Sequence, residues 1–212
     1  MKLPRIILAD DHALFVEALR KLMAPHVEVV ATVKDGRALL EIAPSLKPDV
    51  VVVDVGMPLL NGLDAGRELK KKLPNVKLIF LTMGDDPDLA VEAMKFGASG
   101  YLLKTSAGSE LFSAIRRALK GETYVTPQIA RGMEESFIQD PRFAKRDKSL
   151  TLRQREVVQL LAEGKPMKVV ADILRIAPRT VAFHKYRVMQ SLGLRTSAEL
   201  VQFAVKNRII VQ

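Results

Sequence analysis

The sequence contains no cysteine among its 212 residues. This absence excludes disulfide bonds, thiolate metal sites and cysteine nucleophiles, and it is compatible with a reducing compartment. The chain also lacks an apolar run long enough to span a membrane. The apolar stretch near the amino terminus ends at Asp10, which makes it too short for a secretory leader. We therefore expect a cytoplasmic protein that makes no membrane contact.

Positive charge is concentrated in the last third of the chain. The formal net charge is +9, and residues 145–212 alone carry 14 lysines and arginines against 5 acidic residues. Residues 1–120 are nearly neutral, with 17 basic and 15 acidic residues. A basic module beside a near-neutral one favours a polyanion partner for the carboxyl-terminal part. The alternative is a set of solvated basic side chains with no partner.

The first 120 residues alternate between two patterns. Short runs rich in Val, Ile and Leu are separated by segments with apolar residues at helical spacing, as at Phe15, Leu19 and Leu22. This alternation predicts an α/β domain with a five-stranded, doubly wound parallel sheet of the flavodoxin-like kind. The predicted strands are Arg5–Ala9, Val27–Thr32, Val50–Val53, Val76–Thr82 and Gly100–Leu103.

The alternation stops after residue 121. The following segment is rich in proline and glycine and ends in a charged run from Lys145 to Lys148. Such a composition predicts a linker, with a short helix around Ile129–Phe137. The predicted organisation is a first domain over 1–121, a linker over 122–148 and a second domain over 149–212.

Polar side chains stand at the carboxyl ends of four predicted strands. Asp10 and Asp11 follow the first strand, Asp54 the third, Thr82 ends the fourth and Lys104 follows the fifth. These ends meet at one edge of a parallel sheet, where ligands bind. One such aspartate is more often a helix cap, but three carboxylates repel one another unless a cation lies among them. Oxygen ligands favour Mg²⁺, beside which one carboxylate can act as a nucleophile and form an aspartyl phosphate.

Residues 4–120 resemble the receiver domain of two-component response regulators. The resemblance lies in Asp10-Asp11, in the stretch from Asp54 to Gly62, in Leu81-Thr82 and in the stretch from Gly97 to Lys104. Together these motifs are highly specific.

The resemblance implies a role for each residue of the site. Asp54 accepts a phosphoryl group from a sensor histidine kinase, and Mg²⁺ binds Asp54, Asp10, Asp11 and the carbonyl of Gly56. The remaining implied site residues are Lys104 and Thr82, which contact the phosphoryl group, and Tyr101, which forms a switch pair with Thr82 and turns its ring inward.

Two positions depart from the commonest receiver pattern. Thr105 follows Lys104 where proline is frequent, and Met83 follows Thr82 where many receivers carry a small residue. A bulky side chain at residue 83 is expected to restrict access to the phosphoryl group. Neither change removes a group with an implied catalytic role.

The carboxyl-terminal part has helical periodicity throughout. Thr151 and Gln154 have the form of a capping box, and Pro178 suits the first position of a helix. Two short helices joined by a tight turn inside a basic bundle predict a helix-turn-helix domain of four helices. The predicted helices run from Thr151 to Glu163, Met167 to Leu174, Pro178 to about Leu192 and Thr196 to Asn207.

The third of these helices separates into two faces. Val181 and Val188 fall on the side expected to pack inward, whereas Phe183 and Tyr186 fall on the other side. An exposed aromatic pair on a basic helix suits thymine methyl groups and sugar edges, although packing against a partner domain is the alternative. The predicted contacts with double-stranded DNA are Arg179, Thr180, Ala182, Phe183, Lys185, Tyr186 and Arg187.

Residues 150–210 resemble the LuxR-type output domain of the NarL/FixJ subfamily of response regulators. The resemblance lies in Leu160 to Gly164, Thr180-Val181, His184, Leu192-Gly193 and Glu199 to Val201. It implies that the third helix enters the major groove of promoter DNA. It also implies that the last helix pairs two subunits, which gives a homodimer when the receiver is phosphorylated.

This second resemblance has more departures than the first. Arg175 stands in the turn where glycine is common, and a positive φ there would strain an arginine. Ala177 replaces the usual serine cap, which costs about 1 kcal/mol. Met167 and Val169 replace polar residues, and Ala182 is too short to hydrogen-bond a base. These changes weaken the expected DNA binding but not the expected fold.

Three functions are compatible with these patterns. The leading hypothesis is a phosphorylation-controlled transcription regulator, and the second is a protein-interaction regulator whose output domain no longer reads DNA. The third is a Mg²⁺-dependent phosphohydrolase with Asp54 as nucleophile. It is disfavoured because such hydrolases usually carry a second aspartate two residues after the nucleophile, where this chain has Gly56. We therefore predict no turnover of an external substrate.

Overall fold

The chain folds into two compact units, Met1–Phe143 and Ala144–Gln212. The structure, a computed structural model, describes residues 2–139 and 150–210. The predicted boundary between linker and second domain and the charged run Lys145–Lys148 lie outside the described residues. No helix in the described ranges is both long and apolar enough to cross a membrane.

The first unit is built on a parallel sheet with the strand order β2-β1-β3-β4-β5-β6. The α/β class is confirmed, and the bounds of the five predicted strands differ from the observed ones by at most one residue. The predicted number of strands is wrong, because a sixth strand follows the last predicted one. The strands are β1 Arg5–Ala9, β2 Glu28–Val33, β3 Val50–Asp54, β4 Lys77–Thr82, β5 Gly100–Leu103 and β6 Tyr124–Val125.

Helices cover both faces of this sheet. On one face, side chains of α1 and α5 share a core with alternate strand residues such as Leu8 and Val52. On the other face, α3 lies so close to the sheet that a Cβ added to Gly66 would be 2.5 Å from the Phe80 ring. Burial on both faces explains why the strands are continuously apolar. The helices are α1 Ala13–Met23, α2 Gly36–Leu46, α3 Gly62–Lys72, α4 Pro87–Lys95, α5 Ala107–Leu119 and α6 Pro127–Gln139.

The sixth strand lies within the segment that the sequence predicts to be a linker. It pairs with β5, so that Val125 stands opposite Tyr101. The next residue, Thr126, is buried, and its hydroxyl donates to Glu110 at 2.7 Å and accepts the N–H of Leu103 at 3.2 Å. A two-residue strand carries no periodic pattern, so only these tertiary bonds define it. Helix α6 follows at the position of the predicted short helix.

Within residues 150–210 the second unit has four helices, as predicted, and three of them share an apolar core. The predicted capping box is present, because the Thr151 hydroxyl accepts the N–H of Gln154 while the Gln154 side chain accepts the N–H of Thr151. The core includes Val158, Val188 and Leu200, which come from three different helices. The helices are α7 Leu152–Ala162, α8 Met167–Leu174, α9 Pro178–Ser191 and α10 Ser197–Lys206.

Candidate functional site

Three buried charged side chains from different strand ends meet at one edge of the sheet. Asp10 follows β1, Asp54 ends β3 and Lys104 follows β5. The ammonium of Lys104 lies 2.8 Å from a carboxylate oxygen of Asp10 and 2.8 Å from one of Asp54. All three residues are at most 7% exposed. The structure thus brings together side chains that the sequence predicts to share a site.

Asp11 and His12 form the outer part of this cluster. His12 Nδ1 lies 3.0 Å from Asp11 Oδ1, 3.1 Å from Asp10 Oδ1 and 4.0 Å from Asp54 Oδ2. The potential ligand atoms of these four residues all lie within 4.8 Å of one another. The sequence pattern predicts oxygen donors only, and His12 is not among the predicted site residues. Its position directly after Asp11 was the available signal.

The electrostatics of Asp54 follow from its surroundings. Burial raises the pKa of the Asp54 carboxyl above its ordinary value, and the negative charge of Asp10 raises it further. The hydrogen bond and the charge of Lys104 oppose these effects, as does the N–H of Gly56, which donates to Asp54 Oδ1 at 3.2 Å. A neighbouring cation therefore favours the ionised carboxylate, which is the nucleophilic form.

The donor set suits a hard divalent cation. Asp10, Asp11 and Asp54 offer carboxylate oxygens close together, and the one ammonium of Lys104 offsets only part of their charge. Oxygen ligands in such a cluster fit Mg²⁺. The N–H of Gly56 contacts Asp54, but the ligand role of the Gly56 carbonyl stays a prediction.

The two residues of the predicted switch pair lie on the adjacent strands β4 and β5. Thr82 ends β4 and is buried, and its hydroxyl accepts the N–H of Gly84 at 3.2 Å. The backbone N–H of Lys104 donates to the carbonyl of Thr82 at 2.8 Å, which joins the ends of β4 and β5. The ring of Tyr101 is fully buried and lies 6.4 Å from the ring of Phe80. The structure shows the inward ring, while the switching role of the pair stays a prediction.

A strained residue lies in the loop after Asp54. Leu59 has a φ of +65°, and the N–H of Leu60 donates to the carbonyl of Pro58 at 2.7 Å. This bond closes a three-residue turn around Leu59 in a conformation that is rare and costly for a branched side chain. The sequence does not predict this strain, since nothing in the residue type of Leu59 signals it.

The turn between α8 and α9 has the geometry that the sequence predicts. Arg175 is left-handed, with φ 52° and ψ 49°, and Ala177 occupies the N-cap of α9 without a side chain that can cap it. Pro178 takes the first helical position. The guanidinium of Arg153 on α7 donates to the carbonyl of Leu174 at 2.7 Å, which ties the turn to the bundle.

The two predicted faces of α9 are also present. Val181 and Val188 are fully buried, whereas Phe183 and Tyr186 are 56% and 60% exposed. The guanidinium of Arg187 lies 5.6 Å from the centre of the Phe183 ring, in cation–π contact. Among the other predicted DNA contacts, Arg179 is exposed, Thr180 and Ala182 are half-buried, and the half-buried Lys185 donates to the hydroxyl of Ser197 at 2.8 Å.

The left-handed arginine gives a testable stability difference. We expect Arg175→Asn to stabilise the second unit by about 0.5–1 kcal/mol, because asparagine adopts the left-handed region at lower cost than arginine. Denaturant unfolding, with hydrogen exchange of the α8 and α9 amides as the probe, measures the change in unfolding free energy. Arg195→Asn, at an exposed position outside the left-handed region, is the matched control. Equal effects in both variants would refute strain at residue 175.

Two family models match the chain, one for each unit. The model described as the response regulator receiver domain matches residues 6–116, and the model described as bacterial regulatory proteins, luxR family, matches residues 148–204. The observed fold agrees with both models: a parallel sheet with a carboxylate cluster at its edge is typical of a receiver domain, and the unit that follows it is a helix-turn-helix. The chain belongs to the response regulator family and is similar to its NarL/FixJ members, which confirms the resemblance found in the sequence.

Named relatives support this assignment over nearly the whole chain. The oxygen regulatory protein NreC of Staphylococcus aureus is 33% identical over 97% of this chain and 99% of its own. The transcriptional regulatory protein DegU of Brevibacillus brevis is 30% identical over 96% of this chain and 93% of its own. Among solved structures, the RcsB response regulator of Salmonella typhimurium has a TM-score of 0.60 at 26% identity, covering 97% of this chain and 99% of that one. The structure of an RcsB–DNA complex also has a TM-score of 0.60 at 26% identity, covering 96% of this chain and 98% of that one.

Proposed function

We propose that the chain is a phosphorylation-controlled, DNA-binding transcription regulator in which Asp54 accepts a phosphoryl group from a sensor histidine kinase. The observation that carries this proposal is the buried contact of Asp54 with Lys104 beside Asp10 and Asp11. The cluster combines a carboxylate nucleophile, a cation that can pair with phosphate, and carboxylates for a divalent ion. Family members with these two domains are regulators and not enzymes in the usual sense.

The geometry supports transfer to the aspartate. A carboxylate oxygen of Asp54 attacks phosphorus, the N–P bond of the phosphohistidine breaks, and its electron pair returns to the imidazole of the kinase. Asp10, Asp11 and Asp54 would hold Mg²⁺, and the ion would supply charge neutralisation. Lys104, whose ammonium already lies 2.8 Å from Asp54 Oδ2, then pairs with the phosphoryl group. The hydroxyl of Thr82, at the neighbouring strand end, donates a hydrogen bond to it.

The second unit supplies the proposed DNA contact. Helix α9 presents Phe183, Tyr186 and Arg179 to solvent beside the partly buried Lys185. Positive side chains position such a helix on phosphates, and apolar rings contact base and sugar edges in the major groove. The proposal includes a homodimer of phosphorylated chains on two half-sites, held by α10. It also requires a cytoplasmic location, where bacterial promoters lie.

One arginine of this helix tests the phosphate contacts. We expect Arg187→Ala to weaken binding to all duplexes about equally and to reduce the slope of log affinity against log salt by about 1, because one phosphate contact is lost. Fluorescence anisotropy with labelled duplexes over a salt series measures both quantities. Arg20→Ala on α1 is the control, with an unchanged slope expected. A change of sequence preference in place of a uniform loss would contradict a phosphate role.

The proposed function as a whole is tested by genome-wide binding. Fragmented genomic DNA is captured with the wild type and with Asp54→Ala, each with and without an acyl phosphate donor. We expect the donor to enrich a defined set of promoter fragments with the wild type alone. Identical capture in all four samples would contradict phosphorylation control.

A receiver-controlled protein-interaction regulator is the second candidate. The left-handed Arg175 and the uncapped start of α9 at Ala177 favour it, because both weaken the presentation of the recognition helix. The salt series separates the candidates. Duplex binding that falls steeply with salt favours DNA binding, and no measurable duplex binding at low salt favours the second candidate.

A further inference from the structure

Helix α6 packs against the segment that follows Thr82. On the first turn of α6, the side chain of Gln128 donates to Asp85 Oδ2 at 3.0 Å. One turn further along, Gly132 lies so close to Pro87 at the start of α4 that an added Cβ would be 3.2 Å from the Pro87 side chain. We call this hydrogen bond and this packing together the docking contact. A side chain larger than glycine at residue 132 would move α6 away from α4.

The chain just before α6 is fastened to β5. The N–H of Thr126 donates to the carbonyl of Tyr101 at 3.0 Å, and the Thr126 hydroxyl accepts the N–H of Leu103 at 3.2 Å. Within the first turn of α6, the side chain of Ile129 is fully buried. The start of α6 is therefore attached to the strand that leads to Lys104 and, through the docking contact, to the loop after β4.

The docking contact begins one residue after a hydrogen bond of the proposed switch. The Thr82 hydroxyl accepts the N–H of Gly84 at 3.2 Å, and the next residue is Asp85, which accepts from Gln128. The proposed function draws this hydroxyl toward a phosphoryl group on Asp54 and away from Gly84. The loop then loses a bond that holds it in place, and the carboxylate of Asp85 moves with the loop.

We propose that the docking contact stabilises the unphosphorylated conformation of the receiver, and that phosphorylation of Asp54 releases α6 from α4. The chain continues from α6 toward the second unit, so this release carries the state of Asp54 into that segment. The proposal rests on the proposed function because it concerns the same switch. It also makes a reciprocal demand: if phosphorylation weakens the docking contact, loss of the contact strengthens binding of a phosphoryl analogue by the same factor.

The packing half of the contact is tested with Gly132→Leu in the full-length protein. Beryllofluoride, added with Mg²⁺, is the phosphoryl analogue, and isothermal titration calorimetry gives its affinity. We expect Gly132→Leu to bind it about fivefold or more tightly than the wild type, because the leucine side chain undocks α6. Arg131→Leu introduces the same side chain at the preceding, exposed position of α6 and is expected to match the wild type.

The hydrogen-bonded half is tested with gentler substitutions. Gln128→Ala and Asp85→Ala each remove one partner of an exposed hydrogen bond, and each is expected to raise the affinity for beryllofluoride by about two- to fivefold. The double variant is expected to have the effect of one single variant, because both substitutions remove the same bond. Additive effects in the double variant would overturn the role of this hydrogen bond.

Hydrogen exchange reports the release of α6 directly. The N–H of Ala130 donates to the carbonyl of Thr126 at 3.0 Å and lies in the first turn of α6. In the wild type, beryllofluoride is expected to speed exchange of the amides of residues 127–133, because an undocked helix opens more often. In Gly132→Leu these amides are expected to exchange rapidly with or without beryllofluoride. The amides of α2 serve as the internal reference.

The outcomes separate this proposal from the proposed function. Beryllofluoride that binds without changing exchange in α6, or that binds Gly132→Leu, Gln128→Ala and the wild type equally, overturns the docking proposal while phosphorylation of Asp54 is retained. Weaker binding by both variants also overturns it, since the docked helix would then belong to the phosphorylated conformation. Absence of binding by the wild type overturns the docking proposal and the proposed phosphoryl site together.

Discussion

The substitution Asp54→Asn is expected to abolish the increase in DNA affinity that an acyl phosphate donor produces in the wild type. Coupling between two sites in one protein commonly changes affinity by about 5–150-fold, and we expect an increase in this range for the wild type. The amide of asparagine has almost the shape of the carboxylate but cannot form the acyl phosphate. The variant therefore keeps the affinity of the unphosphorylated chain with or without the donor.

The control for this experiment is an aspartate at the amino end of the same strand. Asp49 directly precedes β3, and its carboxylate accepts the N–H of Arg5 at 2.8 Å, a bond that asparagine can also accept. Asp49→Asn is expected to respond to the donor like the wild type. Anisotropy titrations with one promoter duplex measure all three proteins. A donor response that survives in Asp54→Asn would show that another residue carries the signal.

The substitution Lys104→Met is expected to cost about 3–5 kcal/mol of unfolding free energy in the first unit at neutral pH. Removing one partner of a buried charge pair leaves the other charges buried and uncompensated. Here two buried carboxylates, Asp10 and Asp54, lose the ammonium that lies 2.8 Å from each. Added Mg²⁺ is expected to recover more stability in the variant than in the wild type, because a divalent ion replaces the lost positive charge.

The pH dependence of this loss has a definite sign. Both the hydrogen bond and the charge of Lys104 lower the pKa of Asp54, so the variant has a higher pKa at this carboxyl. Because the unfolded states of the two proteins titrate alike at Asp54, only the folded-state pKa values set the pH window. The destabilisation grows as the pH rises from the folded-state pKa of the wild type, which already lies above the ordinary value, to the still higher pKa of the variant, and it shrinks at lower pH. Denaturant unfolding at several pH values, with hydrogen exchange of β1 and β3, measures it.

An exposed lysine is the comparison for Lys104. Lys21 on α1 lies 3.8 Å from Glu17, and both side chains are more than half exposed. Surface ion pairs of this kind contribute about 0–1 kcal/mol, so Lys21→Met is expected to change stability little. Similar losses for Lys21→Met and Lys104→Met would contradict the assignment of a buried charge cluster.

The inner part of the candidate site was predictable because parallel strands impose geometry on sequence. Once Val50–Asp54 and its neighbours are strands of one parallel sheet, their carboxyl ends must meet, and Asp10, Asp54 and Lys104 lie there. The contacts of His12 were not predictable in this way. They depend on the rotamer of one side chain, which periodicity does not determine.

The sixth strand shows a second limit. Tyr124 and Val125 have no pattern of their own, and their pairing depends on the free edge of β5 and on the bonds of Thr126. In the second unit, by contrast, local chemistry was sufficient. The capping box of Thr151, the bounds of α8 and the positive φ of Arg175 all follow from neighbouring residues and turn rules.

The most direct test of the central claim is to map the phosphoryl group after incubation with an acyl phosphate. Borohydride reduction of the acyl phosphate followed by peptide mass spectrometry locates the modified residue, with Mg²⁺ present or removed by a chelator. The account predicts modification at Asp54 that requires the divalent ion. Modification at another residue, or at Asp54 to the same extent without any divalent ion, would contradict it.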